Sequence, residues 1–399
     1  MNLTESNDIS IYTPYWLFCY FLNCKLILQM QHNGNDRGGM RFHFFIYMAE
    51  IWVQNCILAG KSGRIFLFFG RAIGGASMQV MTAQQDRFPL SRVFRIARGQ
   101  RDSAQVITVN VEKNGVSGRG EGLPYARYGE TPASVLAQIR ALPNDIALEG
   151  LSQALPPGAA RNAVECALWD LQAKQRGCRV WDLLGIAAPQ PVISALTISL
   201  DTPDAMFQQA LKHAHHPVLK IKLGAETDLP RLQAVRKAAP QSDIIIDANE
   251  GWSADGYLAL LPDLQAAKVQ LIEQPLPAGD DDALRNLPRP IALCADETCH
   301  DRRSLAALKG KYDMVNIKLD KTGGLQEALA LRAAAQKQGF GIMIGCMVSS
   351  SLAIAPATLL TQGADMIDLD GSLFLAEDRQ NALIYDEKGL HPPQADLWG

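Results

Sequence analysis

Eight short apolar runs follow one another beyond Pro191, and helical stretches separate them. In chain order they read VISALTIS, VLKIKL, DIIIDAN, VQLIEQP, IALCADE, MVNIKLD, GIMIGC and MIDLDG. Polar landmarks in these runs, from Lys222 to Asp368, lie 22 to 27 residues apart, which accommodates one strand, one helix and two short loops. An open doubly wound sheet shows the same alternation, but eight units in about 180 residues favour a closed parallel (β/α)8 barrel.

The residues before the barrel have the pattern of an α+β domain. Residues 106–111 and 116–120 read as strands around a turn at 113–115, which predicts an antiparallel hairpin. Helices are predicted over 131–142, where Thr131 and Pro132 form a capping signal, and over 159–176. We therefore expect an α+β capping domain at 78–187, the barrel at 188–375, and a C-terminal segment at 376–399 that contains a short strand, NALIYD, and returns to the capping domain.

The first 77 residues differ in composition from the rest. They hold 14 of the 28 aromatic residues of the chain. Their longest uncharged stretch, residues 9–24, has 16 residues, fewer than the roughly 18 to 20 that a membrane span requires. We expect residues 1–77 to be a non-native upstream extension, with translation beginning at Met78; a membrane anchor is the alternative.

Charge and cysteine content narrow the class of partner. With 38 basic and 41 acidic residues the formal net charge is -3, and no basic patch or recognition motif indicates nucleic-acid binding. The eight cysteines show no C-x-x-C pairing, which favours reduced thiols and a cytoplasmic protein. A small-molecule partner is the remaining expectation, and a homo-oligomer is left open.

Charged side chains interrupt the apolar runs near their carboxyl ends. Barrel active sites are built at that end of the strands, so these side chains should converge on one mouth. They are Lys220, Lys222, Asp247, Glu273, Asp296, Lys318, Asp368 and Asp370.

Three of these residues predict a metal site. Asp247, Glu273 and Asp296 end three consecutive runs. A single aspartate after a strand is usually a helix cap, but three carboxylates in succession are hard oxygen ligands that suit Mg²⁺, or alternatively Mn²⁺.

The lysines predict acid–base chemistry. An alternating strand could point them outward, but the outer face of a helix-wrapped barrel is apolar, so an inward position at the mouth is favoured. Lys222 and Lys318 are four strands apart and should face each other across the barrel axis, where one removes a proton and the other returns it to the opposite face. Because the reference pKa of lysine is about 10.4, one of the two is expected to have a depressed pKa. A divalent cation would stabilise the charge that forms when the α-carbon of a carboxylate loses its proton.

The strand-end motifs resemble those of a known family. KIKL at 220–223, DAN at 247–249, EQP at 273–275, ADE at 295–297 and NIKLDKTGG at 316–324 are similar, in order and spacing, to the muconate-lactonizing branch of the enolase superfamily. The resemblance begins near Met78 and is strongest to L-Ala-D/L-Glu epimerases, which act on dipeptides released during murein (peptidoglycan) recycling. It implies an enolase-like α/β fold and a Mg²⁺-dependent isomerase.

The resemblance also implies residue roles. Asp247, Glu273 and Asp296 would be the metal ligands and Lys222 and Lys318 the acid–base pair. Lys220 would give electrostatic support, and Asn249 and Glu297 would support the ligands from within the same motifs.

Substrate contacts follow from the same likeness. Asp368 and Asp370 would hold the ammonium group of the dipeptide through charge-assisted hydrogen bonds. Arg101 resembles a flexible-loop arginine that meets the glutamate side-chain carboxylate, and Arg127, in a second specificity loop, could take its place. The run at 345–347 is expected to be pocket wall.

Three alternatives stay open. Cycloisomerases and o-succinylbenzoate synthases use the same lysines and ligands, so a lyase acting on a cyclic acid is one alternative; its substrate offers no ammonium group for Asp368 and Asp370. Another dipeptide specificity is a nearer one. A non-catalytic peptide binder is the third, and substitution of Lys222 by alanine would separate it from an enzyme.

Overall fold

The computed structural model describes residues 16–21, 24–29, 78–225 and 227–399. The chain divides into two units, Met1–Gly75 and Ala76–Gly399. In the first, strands β1 (Trp16–Phe21) and β2 (Cys24–Gln29) form an antiparallel pair. No helix in the described part of the chain has the length and apolar character that a membrane span requires.

The second unit begins with a three-stranded antiparallel sheet of order β3-β4-β5. Its strands are β3 (Val80–Ile96), β4 (Gly99–Lys113) and β5 (Val116–Gly122). Lys113 pairs with Val116, and Asn114 and Gly115 between them have φ of 57° and 74°, as a tight hairpin turn requires. The predicted β4–β5 hairpin is confirmed. The 17-residue β3 was not predicted because most of its side chains are partly or fully exposed.

Four helices complete this domain: α1 (Pro132–Arg140), α2 (Leu148–Ala154), α3 (Ala159–Arg176) and α4 (Val180–Leu184). Thr131 caps α1 as predicted, and α3 has the bounds that the sequence predicts. The backbone of α3 lies directly on β5, because a Cβ added at Gly118 or Gly120 would come within 2.3 or 2.1 Å of α3 carbonyl oxygens. The glycines of β5 therefore allow the close packing of helix on sheet.

The eight predicted apolar runs all form parallel strands of one sheet, in chain order. The strands are β6 (Leu196–Ile198), β7 (Val218–Lys222), β8 (Asp243–Asp247), β9 (Val269–Glu273), β10 (Ala292–Ala295), β11 (Met314–Ile317), β12 (Gly341–Gly345) and β13 (Met366–Asp368). The Ala195 N–H donates to the Ile367 carbonyl oxygen at 2.8 Å, which brings the first and last strands together. The predicted (β/α) barrel with an α+β capping domain is confirmed.

Helices connect the barrel strands, except between β9 and β10, where only a 3-10 turn lies. They are α5 (Pro203–Lys212), α6 (Leu229–Ala238), α7 (Ala254–Ala266), α8 (Leu305–Leu308), α9 (Leu319–Thr322), α10 (Leu325–Lys337) and α11 (Ser351–Ile354). Short 3-10 turns lie at Ala126–Tyr128, Asp282–Arg285, Arg302–Ser304, Ala355–Leu360 and Gly371–Phe374.

The C-terminal segment carries two short antiparallel strands, β14 (Tyr385–Asp386) and β15 (Gly389–Leu390). Of the strand predicted at 381–386, only the last two residues form a strand, β14. Beyond β15, Trp398 is fully buried and its Nε1 donates to the Cys166 carbonyl oxygen of α3 at 3.0 Å.

Candidate active site

The barrel brings the charged strand-end residues together at its carboxyl-terminal mouth. Lys222 pairs in register with Asp247 on the next strand, and Asp247 with Glu273 on the strand after that. Asp296 directly follows β10 and Lys318 directly follows β11. All of them are buried, as are Lys220, Asp368 and Asp370.

Three carboxylates form the centre of this mouth. One oxygen from each of Asp247, Glu273 and Asp296 lies within 4.8 Å of the others. Backbone and side-chain amides hold two of them: Asn249 N–H donates to Asp247 Oδ1 at 2.9 Å, and Asn316 Nδ2 to Glu273 Oε1 at 2.6 Å. An all-oxygen, anionic and buried donor set fits a hard divalent cation such as Mg²⁺.

The surroundings of the three carboxyls shift their pKa values in different directions. Burial raises the pKa of Glu273, the charge of Asp247 adds to this, and the pKa reaches about 7. Burial also opposes the ionisation of Asp247 and Asp296, but neighbouring lysines outweigh it and lower the pKa of both. A cation that binds Glu273 therefore competes with a proton for this carboxylate.

The two candidate acid–base lysines line one cavity of about 60 Å³. Lys222 Nζ lies 2.5 Å from Asp247 Oδ2, and Lys318 Nζ lies 2.7 Å from Asp296 Oδ2. Burial acts to lower the pKa of Lys318, but Asp296 and Glu273 outweigh it, and the pKa is raised. The depressed pKa that we expect for one of the two lysines stays a prediction; Lys318 has the opposite shift because the charges of Asp296 and Glu273 act on its ammonium group.

Lys220 connects the carboxylate triad with the last barrel strand. Its Nζ lies 2.5 Å from Glu273 Oε2, 2.7 Å from Asp368 Oδ2 and 3.3 Å from Asp247 Oδ2. These three carboxylates outweigh the effect of burial and raise the pKa of Lys220.

The two aspartates at the carboxyl end of β13, Asp368 and Asp370, have different surroundings. Asp368 Oδ1 is buried and has no hydrogen-bond partner within the described residues. Asp370 Oδ2 accepts from the Thr197 N–H at 2.6 Å. Burial and the charge of Asp368 raise the pKa of Asp370 to about 7.

The two candidate arginines also differ. Arg101 is the third residue of β4 rather than part of a loop, and its guanidinium lies 5.5 Å from the centre of the Tyr125 ring. It lines both the cavity of the lysines and an adjoining one of about 630 Å³. Arg127 lines only the larger cavity of these two and binds Glu250 through Nε and Nη2, at 2.9 and 2.8 Å.

Three residues that the sequence did not single out also hold the site. The Nζ of Lys321 donates to Asp296 Oδ1 and to the Asp296 carbonyl oxygen, both at 2.6 Å. Gln274 Oε1 accepts from the Asp296 N–H at 3.0 Å. Arg98 Nη2 donates to Glu297 Oε1 at 2.5 Å. Gln274 and Lys321 lie inside the EQP and NIKLDKTGG motifs, which are the signal for them, whereas Arg98 has no local signal. Cys346 and Met347 form cavity wall.

Comparisons with known proteins agree with this geometry. The "Mandelate racemase / muconate lactonizing enzyme, N-terminal domain" family matches residues 78–185, and the "Enolase C-terminal domain-like" family matches residues 204–388. An L-Ala-D/L-Glu epimerase of Escherichia coli is 47% identical over 320 residues, which are 79% of this chain and 100% of that protein. An N-acetyl-D-glutamate racemase of a Pseudoalteromonas species is 46% identical over 300 residues, 74% of this chain and 95% of that protein.

Solved structures show the same architecture. An enolase family member from Agrobacterium tumefaciens, with homology to dipeptide epimerases and with bound sodium and L-Ala-L-Glu, has a TM-score of 0.79 and 47% identity, over 80% of this chain and all of its own. A dipeptide epimerase of Enterococcus faecalis, complexed with Mg and L-Leu-L-Tyr, has a TM-score of 0.74 and 28% identity, over 81% and 99%. The chain therefore belongs to the mandelate racemase/muconate lactonizing enzyme branch of the enolase superfamily.

Proposed function

We propose that the chain is an isomerase, a Mg²⁺-dependent L-Ala-D/L-Glu dipeptide epimerase, that moves a proton between the two faces of the α-carbon of the C-terminal residue. The observation that carries the proposal is the placement of Lys222 and Lys318. They lie at the carboxyl ends of strands four apart in the barrel, line one cavity, and each bonds to a different member of the carboxylate triad.

At the start of each turnover, one of the two lysines is neutral and the other is protonated. The neutral lysine accepts the α-proton, and the ammonium form of the other donates a proton to the opposite face. The reverse reaction exchanges their roles. Asp247, Glu273 and Asp296 would hold Mg²⁺, which when bound supplies positive charge against the negative charge that develops on the substrate carboxylate. Mn²⁺ is the alternative cation.

Asp368 suits the amino terminus of a dipeptide. Its Oδ1 is a buried acceptor with no partner among the described residues, and a substrate ammonium group would supply a charge-assisted hydrogen bond there. Asp370, two residues further along the chain, is a second buried carboxyl beside Asp368. An ammonium-bearing substrate is favoured by this pair over the cyclic acids of lyases and cycloisomerases in the same superfamily.

Arg101 suits the side-chain carboxylate of the C-terminal residue. It makes no ion pair with any described residue, whereas Arg127 is already bonded to Glu250. A planar guanidinium binds a carboxylate through two hydrogen bonds, which gives geometric specificity for an acidic side chain. We therefore assign side-chain recognition to Arg101 in preference to Arg127.

The proposed substrate implies a biological setting. L-Ala-Glu dipeptides come from murein, so we propose a role in recycling cell-wall peptides in the cytoplasm. Resemblance to the L-Ala-D/L-Glu epimerases supports this setting.

Proton NMR in D2O tests the proposal. The full chain is incubated with Mg²⁺ and L-Ala-L-Glu, L-Ala-D-Glu or N-acetyl-D-glutamate, and the glutamate α-proton is followed. We expect deuterium exchange with interconversion of the two dipeptide diastereomers. If only N-acetyl-D-glutamate exchanges, the substrate is an N-acylated amino acid and not a dipeptide. If none of the three compounds exchanges, the proposed reaction is refuted.

A further inference from the structure

Arg98 occupies the turn between the two longest strands of the capping sheet and bonds to the barrel. Its Nη1 donates to the Asn249 carbonyl oxygen at 2.6 Å and to Glu250 Oε2 at 2.8 Å, and its Nη2 to Glu297 Oε1 at 2.5 Å and to the Tyr125 hydroxyl at 3.4 Å. The side chains of Glu250 and Glu297 are only 5% and 2% exposed. Because these bonds are charge-assisted and their acceptors are buried, they fix the position of the turn relative to the loops that follow β8 and β10.

The acceptors of Arg98 lie next to the carboxylate triad. Asn249 and Glu250 follow Asp247 by two and three residues, and Glu297 directly follows Asp296. Asn249 and Glu250 have φ of 47° and 68°, a left-handed conformation that residues with a side chain rarely adopt. Backbone of this kind persists where surrounding contacts impose it, and such positions cluster at functional sites.

The rest of the turn is docked on the barrel as well. The Arg95 N–H donates to Ser199 Oγ at 2.8 Å, and the Arg95 carbonyl oxygen accepts from the Leu200 N–H at 3.1 Å. A Cβ added at Gly224 would lie 2.1 Å from the Ala97 Cβ, so the turn sits directly on the loop after β7. Residues 95–98 thus contact the carboxyl ends of β6, β7, β8 and β10.

The same hairpin carries the side chains that close the reaction cavity. Phe94 and Ile96 precede the turn and Arg101 follows it, and all three line the cavity with Lys222 and Lys318. Arg101 has no ion pair of its own within the described residues, so its place relative to the lysines depends on the position of the hairpin.

We propose that Arg98 is a positioning residue for substrate recognition: its bonds to Glu250 and Glu297 hold the hairpin in register with the carboxylate triad, and Arg101 is thereby placed to select an acidic side chain. This inference rests on the proposed epimerase function. It assigns Arg98 no contact with the substrate.

Steady-state kinetics with two substrates of equal size test the inference. The kcat/KM of L-Ala-L-Glu is compared with that of L-Ala-L-Gln in the wild type, in Arg98→Met, in Arg101→Met and in the double variant. Because a displacement of about 1 Å costs roughly 100-fold in rate, we expect Arg98→Met to lower the Glu/Gln ratio by about 10- to 100-fold. In the Arg101→Met background, Arg98→Met should leave the ratio unchanged.

Controls separate this role from a merely structural one. Arg87→Met removes an exposed arginine of β3, which leads into the turn, and should leave the ratio unchanged. Arg98→Lys keeps the charge but not the two-pronged donor geometry; it should lower the ratio partly, and it serves if Arg98→Met does not fold. An equal loss for both substrates, or an unaltered ratio, would overturn the role of Arg98 while the wild-type activity stands. A wild type that turns over neither dipeptide would overturn the proposed function and this inference together.

Discussion

Lys321 and Asp296 are joined twice inside the barrel mouth, because one ammonium group donates to both the carboxylate and the carbonyl oxygen of the same residue, each at 2.6 Å. Lys321 is fully buried, and its third bond, to the Asn316 carbonyl oxygen at 2.9 Å, anchors it to β11. The orientation of Asp296 in the triad therefore depends on a lysine that does not line the cavity.

Replacement of Lys321 by methionine should weaken Mg²⁺ binding by about 10- to 100-fold, since residues that orient metal ligands typically contribute that much to affinity. Isothermal titration calorimetry of the folded variant measures this. Lys311→Met is the matched control, because Lys311 is also a buried lysine bonded to an aspartate, Asp281, at 2.5 Å, but to no member of the triad. Equal Mg²⁺ affinity in the two variants would contradict the role given to Lys321.

Each of the two cavity lysines should be required for epimerisation. We expect Lys222→Ala and Lys318→Ala to lower the rate of interconversion of L-Ala-L-Glu and L-Ala-D-Glu by about 100- to 10,000-fold at saturating Mg²⁺, the usual contribution of a general acid or base. Proton NMR follows both diastereomers. Lys309→Ala, at an exposed lysine, is the control. A variant of either cavity lysine that interconverts them within tenfold of the wild-type rate would exclude a two-lysine mechanism.

Asp368→Asn should weaken the recognition of substrates that carry a free amino terminus. The change keeps the size of the side chain but removes the charge that we expect an ammonium group to meet, so kcat/KM for L-Ala-L-Glu should fall at least about tenfold. The wild type should discriminate against N-acetyl-L-Ala-L-Glu, and the variant should discriminate less. Asp102→Asn, at an exposed aspartate, should change neither value. If discrimination against the acetylated peptide survives in Asp368→Asn, another group binds the ammonium.

Stability should depend on pH through Asp320, which lies outside the cavity. Burial raises the pKa of this carboxyl to about 7 although Asn162 Nδ2 and the Leu123 N–H donate to it at 2.8 and 3.1 Å. In the unfolded chain its pKa is about 3.9. The folded state therefore binds the proton more tightly, and the resulting stabilisation, complete below about pH 4, is lost as pH rises through about 7.

Asp320→Asn removes this titration and keeps the accepting oxygen. The free energy of unfolding of the wild type should fall between pH 5 and pH 8 by on the order of 2 kcal/mol more than that of the variant. Urea denaturation at several pH values checks the difference. Asp145→Asn, at an exposed position, should run parallel to the wild type. A parallel course for Asp320→Asn would mean that Asp320 is ionised in the folded state.

A chain that begins at Met78 should keep the activity. The N-terminal family match begins at residue 78, and 79% of this chain covers the whole of the Escherichia coli relative. The kcat/KM and the unfolding free energy of this chain and of the full chain are measured side by side. A loss of more than about tenfold in kcat/KM would give residues 1–77 a part in catalysis and contradict the prediction that they are an extension.

The barrel could be predicted from sequence because its signals are local and periodic. A buried parallel strand must be apolar on both faces, so a charge at its carboxyl end is conspicuous, and regular spacing of such runs leaves few alternatives to closure. Strand β3 escaped prediction for the opposite reason: it lies at the edge of its sheet and leaves much of its surface in solvent, so it has no apolar run.

The sequence alone determined which residue types stand at the strand ends, and with them the chemistry available to the mouth of the barrel. Only the tertiary structure decided how those charges are paired: Lys318 is bonded to Asp296, Arg127 is bonded to Glu250, and Arg98 is bonded to residues 151 to 199 positions away. The physical reason is distance along the chain. Periodicity indicates which helix or strand each segment forms. The pairing of buried charges depends on segments that become neighbours only when the barrel closes and the capping sheet packs against it.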